Sequence, residues 1–217
     1  MTRTILISGA SAGIGALTAR GLADAGFVVY AGIPAGGGRA AAIEDVDGYA
    51  AAHDVELRAI HLDVTSDDSV DAAVESVLSD RGDIDVLIHH FGHAASASEP
   101  DIFHYDADVL GAHRLNRAVL PGMRNRGDGQ LLWVGDSAAR DVELSPDRHF
   151  AAEASLDALA VTTAREVARF GIDTTVVDNP GGPEAADVVR AIVAAVAAVK
   201  GKRPFRLRLP VTCTSAT

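Results

Sequence analysis

The chain has a single cysteine, Cys213, in 217 residues, which excludes an internal disulfide and a cysteine-ligated zinc cluster. Cationic residues are also scarce: 19 Lys and Arg against 30 Asp and Glu leave a formal net charge of −11. A surface of that sign repels phosphate backbones at long range and argues against nucleic acid as a partner. No apolar run approaches the ~20 residues a spanning helix needs. The Ala/Val stretch near 191–199 is bounded by Arg190 and Lys200, which argues against a membrane. The opening MTRTILISGASAG lacks the long apolar region and small-residue cleavage site of a secretory leader, so the expected location is cytoplasmic. No Pro/Ser-rich linker or charge block interrupts the chain, and 48% apolar content suffices for one core. A single domain over 1–217 is expected.

Strand-length apolar runs alternate with helical patterns. The pattern predicts strands at 5–8, 27–32, 57–64, 84–90, 130–135, 173–179 and 205–211. It predicts helices at 13–25, 39–52, 67–80, 106–126, 149–169 and 184–199. Strands joined through helices need crossover connections, so the expected fold is α/β: a doubly wound parallel sheet with helices on both faces, a Rossmann fold. Ligands of such sheets bind beyond the carboxyl ends of the strands, where strand order reverses.

Between the first strand and first helix lies Gly9-Ala10-Ser11-Ala12-Gly13-Ile14-Gly15. Gly9 suits a tight turn, Gly13 a close approach of backbone to a pyrophosphate, and Gly15 close packing of helix on sheet. Four later stretches follow in order: LDV at 62–64, HHFG at 89–92, VLPGM at 119–123, and Asn179-Pro180-Gly181. Together these resemble the short-chain dehydrogenase/reductase family over roughly residues 3–181.

The resemblance implies a nicotinamide cofactor, NAD or NADP, held by Gly9, Ser11, Gly13, Ile14 and Gly15, with Asp63 and Val64 at the adenine. After the second strand, where the family often carries an acidic residue for the ribose or an arginine for a 2′-phosphate, the sequence reads Ile33-Pro34-Ala35 and three glycines. Arg39 is its first positive charge. Arg39 or Ser11 is placed to meet a 2′-phosphate.

The catalytic pattern departs from the family. Laying its Tyr-x-x-x-Lys on HFAAE puts His149 on the tyrosine and Glu153 on the lysine. Counting along GQLLWVGDS puts Asp136 on the serine, with Ser137 one step later, and counting back from VLPGM puts Asp108 on the asparagine. Every replacement is ionisable. An imidazole passes protons near neutral pH, and a carboxylate four residues on shares its helix face. His90 replaces an asparagine lining the family's cofactor site, Phe91 adds bulk beside it, and the segment after Pro180-Gly181 is too short for the usual lid. His89 alternates with His90 and should face the other way, as packing or surface.

Three readings follow. The first is a non-redox enzyme (isomerase, dehydratase or cyclase) in which His149 moves protons on a small organic, polyketide-like substrate, with Asp136, Glu153, Asp108, His90 or Ser137 assisting and with no obligatory cofactor. The second is an NAD(P)-dependent oxidoreductase with atypical residues. The third is a catalytically silent dinucleotide-binding or scaffold subunit. No compact metal-ligand spacing is present, although His90 and His149 with the carboxylates supply suitable donor atoms. The resemblance also implies a homodimer or homotetramer through the helices at 106–126 and 149–169. The basic cluster Lys200, Lys202, Arg203, Arg206 and Arg208 is expected as a solvated strand end or a local anion patch.

Overall fold

The computed structural model describes residues 2–36, 38–90, 105–136, 148–179 and 184–210, with the backbone alone at 136 and 148–151. Seven parallel strands form one sheet in the order β3-β2-β1-β4-β5-β6-β7. They are β1 (Thr4–Ile7), β2 (Val28–Ile33), β3 (Leu57–His61), β4 (Val86–His90), β5 (Gly129–Asp136), β6 (Ile172–Asn179) and β7 (Arg206–Arg208). Strand order reverses between β1 and β4, so the crevice opens at the carboxyl ends of those two strands. Helices α1 (Gly13–Asp24), α2 (Arg39–His53), α3 (Asp67–Arg81), α4 (Gly111–Arg126), α5 (Arg148–Val167) and α6 (Ala185–Ala197) make the crossovers. The doubly wound fold expected from the alternating pattern is the one observed.

Side-chain alternation divides the core in two. Leu6, Leu87, Leu131 and Trp133 pack against Val70, Leu115, Val119 and Leu156 of α3, α4 and α5. Ile5, Ile7, Ile88 and Val134 pack against Ala19, Leu22, Val188 and Ile192 of α1 and α6. The two faces of β4 and β5 therefore look into separate layers.

Two boundaries differ from the sequence reading. β3 ends at His61 because the Asp63 carboxylate accepts the Thr65 N–H and hydroxyl, at 2.9 and 2.7 Å, and turns the chain. The helix expected at 106–126 starts as one turn of π-helix, Asp106–Leu110, ahead of α4. A π turn inserts a residue without altering the apolar stripe that announces the helix.

The basic cluster forms ion pairs. Lys200 meets Asp128 at 2.8 Å, Arg203 meets Asp173 at 3.0 Å, and Arg206 joins Asp157 of α5 to Asp178 of β6 at 2.6 and 3.0 Å. The Arg206 pairs tie β7 to β6 and α5, and Lys200 and Arg203 are engaged by carboxylates ahead of it. No helix among the described residues is long and apolar enough to cross a membrane.

At the opposite end of the sheet from the crevice, fully buried Gln130 accepts from Arg3 at 3.1 Å and donates to the Ala195 carbonyl at 2.9 Å, tying β5 to β1 and α6. Gln130→Leu leaves a cation and a buried carbonyl short of partners. It is expected to lower the unfolding free energy by about 2–3 kcal/mol, read as a shift of the urea midpoint at unchanged slope.

Candidate active site

The glycine loop is fixed by backbone contacts. Gly9 has φ +66°, and a Cβ there would stand 2.3 Å from the His90 carbonyl oxygen. A Cβ on Gly15 would stand 2.1 Å from the Gly9 carbonyl oxygen. Both positions require glycine on space alone. Gly13, at φ +59°, has nothing within 4 Å of its Cβ position and so borders open space. The residue preceding α1, Ala12, offers no side-chain cap, and the first turn contains no acidic residue. The orphan N–H groups and the positive end of the helix dipole therefore meet that space without a competing protein anion. At the head of α2, the Arg39 guanidinium makes no hydrogen bond or ion pair among the described residues. Loop, helix end and spare cation fit a dinucleotide phosphate.

A second polar group lies on the other face of the sheet. Glu153 is buried, with Oε2 lying 2.9 Å from where a Cβ on Gly135 would stand. Glycine at 135 therefore leaves room for the carboxylate against β5. Beside it, a cavity of about 20 Å³ is lined by Trp133, Gly135, Glu153, Leu156 and Asp157, enough for about one water molecule. The Trp133 ring lies 4.2 Å from that of His89, and His89 donates from Nε2 to Asn116 Oδ1 of α4 at 2.9 Å. Asp108, 1% exposed, sits on the π turn that packs against both α4 and α5.

The expected site residues are thus only partly brought together. Glu153 and Asp108 lie buried in the layer between the sheet and α4/α5. His90 was expected to share a crevice with His149 and Asp136. It lies with Ile88 on the α1/α6 face, where its Nδ1 stands 3.2 Å from the Cβ position of Gly15. The reason is strand alternation, which directs His89 toward Trp133 and Asn116 and His90 beneath the glycine loop. His89 is packing, as expected. Ser11 is exposed, Ile14 packs at the margin of the α1/α6 core, and Asp63 and Val64 form the turn after β3. Ser137 lies outside the described residues, as do Phe91, 180–183 and the side chains of Asp136 and His149. Among the described residues no set of three His, Cys, Asp or Glu is grouped to hold a metal ion.

Sequence reasoning missed three residues. Asn116 and Trp133 sit in apolar stripes and read as core. Arg114 donates to the Val64 carbonyl at 3.2 Å and pairs with Asp106 at 2.9 Å, joining the π turn to the Asp63–Val64 turn. A single arginine on a helix carries no signal for such a tertiary tie.

Burial holds the pKa of both His89 and His90 down at about 4, against 6.5 for a solvated imidazole, with the Asn116 hydrogen bond opposing the shift at His89. Between pH 6.5 and 4 the unfolded chain therefore binds more protons than the folded one, and stability must fall as pH drops through that window. From pH 7.5 to 5 the expected loss is about 2 kcal/mol per imidazole, measured by urea unfolding. A flat profile would contradict the burial assigned to the pair.

With this geometry established, comparison with known proteins identifies the scaffold. The family model described as short chain dehydrogenase matches residues 3–195. An oxidoreductase of Botryotinia fuckeliana is 32% identical over 129 residues, covering 57% of this chain and 47% of that protein. An NADP-dependent 3-hydroxy acid dehydrogenase of Schizosaccharomyces pombe is 31% identical over 147 residues, covering 64% and 56% respectively. The chain spans about half the length of these curated relatives. A crystal structure of a short-chain dehydrogenase from Streptomyces avermitilis is 27% identical, with a TM-score of 0.79 over 97% of this chain and 88% of that one. By the extent of the family match and by its sheet order, the chain belongs to the short-chain dehydrogenase family.

Proposed function

We propose that the chain is an NADP(H)-dependent oxidoreductase acting on a carbonyl or hydroxyl group of a small molecule. The observation that carries this reading is the phosphate cradle: open space over Gly13, an uncapped α1, and an unpaired Arg39 at the head of α2. An unpaired arginine with no acidic neighbour at the end of β2 suits a 2′-phosphate better than a free ribose hydroxyl. The relatives named above are redox proteins, one of them NADP-dependent. That favours hydride chemistry over the isomerase, dehydratase or cyclase reading that the ionisable replacements first suggest.

Gly9, Gly13 and Gly15 would hold the pyrophosphate on backbone N–H groups, and Arg39 the 2′-phosphate. When bound, the nicotinamide supplies or accepts the hydride. The protein has then to bind the substrate oxygen and move one proton. At the family's proton-transfer position stands His149, and its i+4 neighbour Glu153 is the carboxylate that favours the protonated imidazole. Asp136 and Ser137 occupy the substrate-oxygen position, and only the serine, or a protonated aspartate, can donate to that oxygen. Assembly as a homo-oligomer through α4 and α5 is part of the same reading.

Arg39→Ala is expected to weaken NADPH binding roughly 10- to 100-fold, the worth of one charged hydrogen-bonding partner, while leaving NADH binding unchanged. Calorimetric titration of both dinucleotides checks it. His149→Ala should lower kcat for ketone reduction about 100-fold or more without loss of NADPH affinity, followed by nicotinamide absorbance over a ketone panel. Dinucleotide binding with no turnover of any ketone or alcohol would replace this reading by that of a silent binding subunit.

A further inference from the structure

His90 ends β4 directly beneath the glycine loop. The residue is 8% exposed, and its Nδ1 has no hydrogen-bond partner among the described residues. That nitrogen stands 3.2 Å from the Cβ position of Gly15 and 3.7 Å from that of Gly9, so it lies against the two glycines that shape the loop. Its backbone N–H is held by Ser8 Oγ at 3.2 Å, which fixes the strand end under the loop. We infer that His90 is a proton-uptake site of the cofactor cradle: a pyrophosphate on the glycine loop draws a proton from solvent onto this imidazole, so dinucleotide affinity increases as pH falls. The inference rests on the dinucleotide reading of the loop.

The surroundings leave the ring free to respond to a bound anion. Just past β1 it meets Ser8, and from β5 its register partner is Val134. From α1 it meets Gly15, and the charged residues of that helix, Arg20 and Asp24, are engaged with Asp45 and Tyr49 of α2. On α6, Asp187 pairs with Arg190. Asp178 of β6 lies with Arg206 and Asp157, toward α5. Asp136 follows two residues after Val134 in register and is the nearest acidic position along β5.

In the free protein the imidazole is neutral at physiological pH, held so by burial, and the N-terminus of α1 beside it carries the positive end of the helix dipole. A pyrophosphate brings two negative charges to the same helix end and reverses that field. No redox partner is required, since the only exchange is one proton between water and Nδ1.

The test is NMR titration of the His90 ring, assigned by comparison with His90→Gln, with and without saturating NADP+, the acid-stable form. The expected result is a titration midpoint higher by about one unit or more in the complex, the effect of an opposite charge at short range. Calorimetry should correspondingly show NADP+ affinity rising about twofold more from pH 8 to pH 5 in the wild type than in His90→Gln, since most of a one-unit shift from a midpoint of about 4 is expressed below pH 5. The 2′-phosphate itself titrates near pH 6, so the difference between the two proteins is the quantity read. Equal midpoints in the free and bound wild type overturn the inference, and that measurement does not depend on the variant folding. The same pH dependence in His90→Gln also overturns it. If the wild type binds no NADP+ at either pH, the dinucleotide reading falls first and this inference falls with it.

Discussion

The active-site end of the structure depends on one close approach, that of the glycine loop over the carboxyl end of β4. The Gly9 Cα sits where any side chain would collide with the His90 carbonyl, and the Gly15 Cα where any side chain would collide with Gly9 itself. That contact brings α1 down onto the sheet at the point where strand order reverses and directs its N-terminus at the crevice. If the loop were lifted by one methyl group, α1 would no longer present its N–H groups beside β4. The backbone part of the proposed phosphate cradle is therefore a consequence of packing on the strand.

The same strand end distributes the chemistry. Two adjacent histidines on β4 are both buried, yet the two-residue period of the strand sends them into different layers. His89 meets Trp133 and donates from Nε2 to Asn116. His90 comes to rest against the glycines, its Nδ1 without a hydrogen-bond partner among the described residues. Identity of residue type says little about role here, because the layer each ring enters decides whether it meets a helix side chain or the underside of a phosphate loop.

The legibility of the sequence varied with the range of the interaction involved. Glycines at 9, 13 and 15 and the alternation of strands with helices are local patterns, and they placed the loop, the topology and six crossover helices correctly. The π turn before α4 was invisible because it preserves the apolar spacing, and Arg114's tie to Val64 because it joins residues 50 positions apart. Asp108 and Glu153 stand out in the sequence as ionisable residues, but their burial follows only from the packing of the π turn and α5 on the sheet.

The proposed exchange of the family's tyrosine and lysine for His149 and Glu153 can be followed through its charges. A tyrosine beside a lysine is a neutral acid whose conjugate anion is stabilised by a cation. A histidine beside a glutamate is a cationic acid whose protonated form is stabilised by an anion. Both pairs hold a proton ready for a developing alkoxide, with the sign of every charge exchanged, so a reducing direction survives the swap better than the reverse one, which needs a strong base. The carboxylate can also accept from ribose hydroxyls where the lysine would donate. Gly135 belongs to the same exchange: with any larger residue there, the Glu153 carboxylate could not lie where it does against β5. The proposed acid therefore depends on a glycine as the cofactor loop does, each site opened by the absence of a side chain.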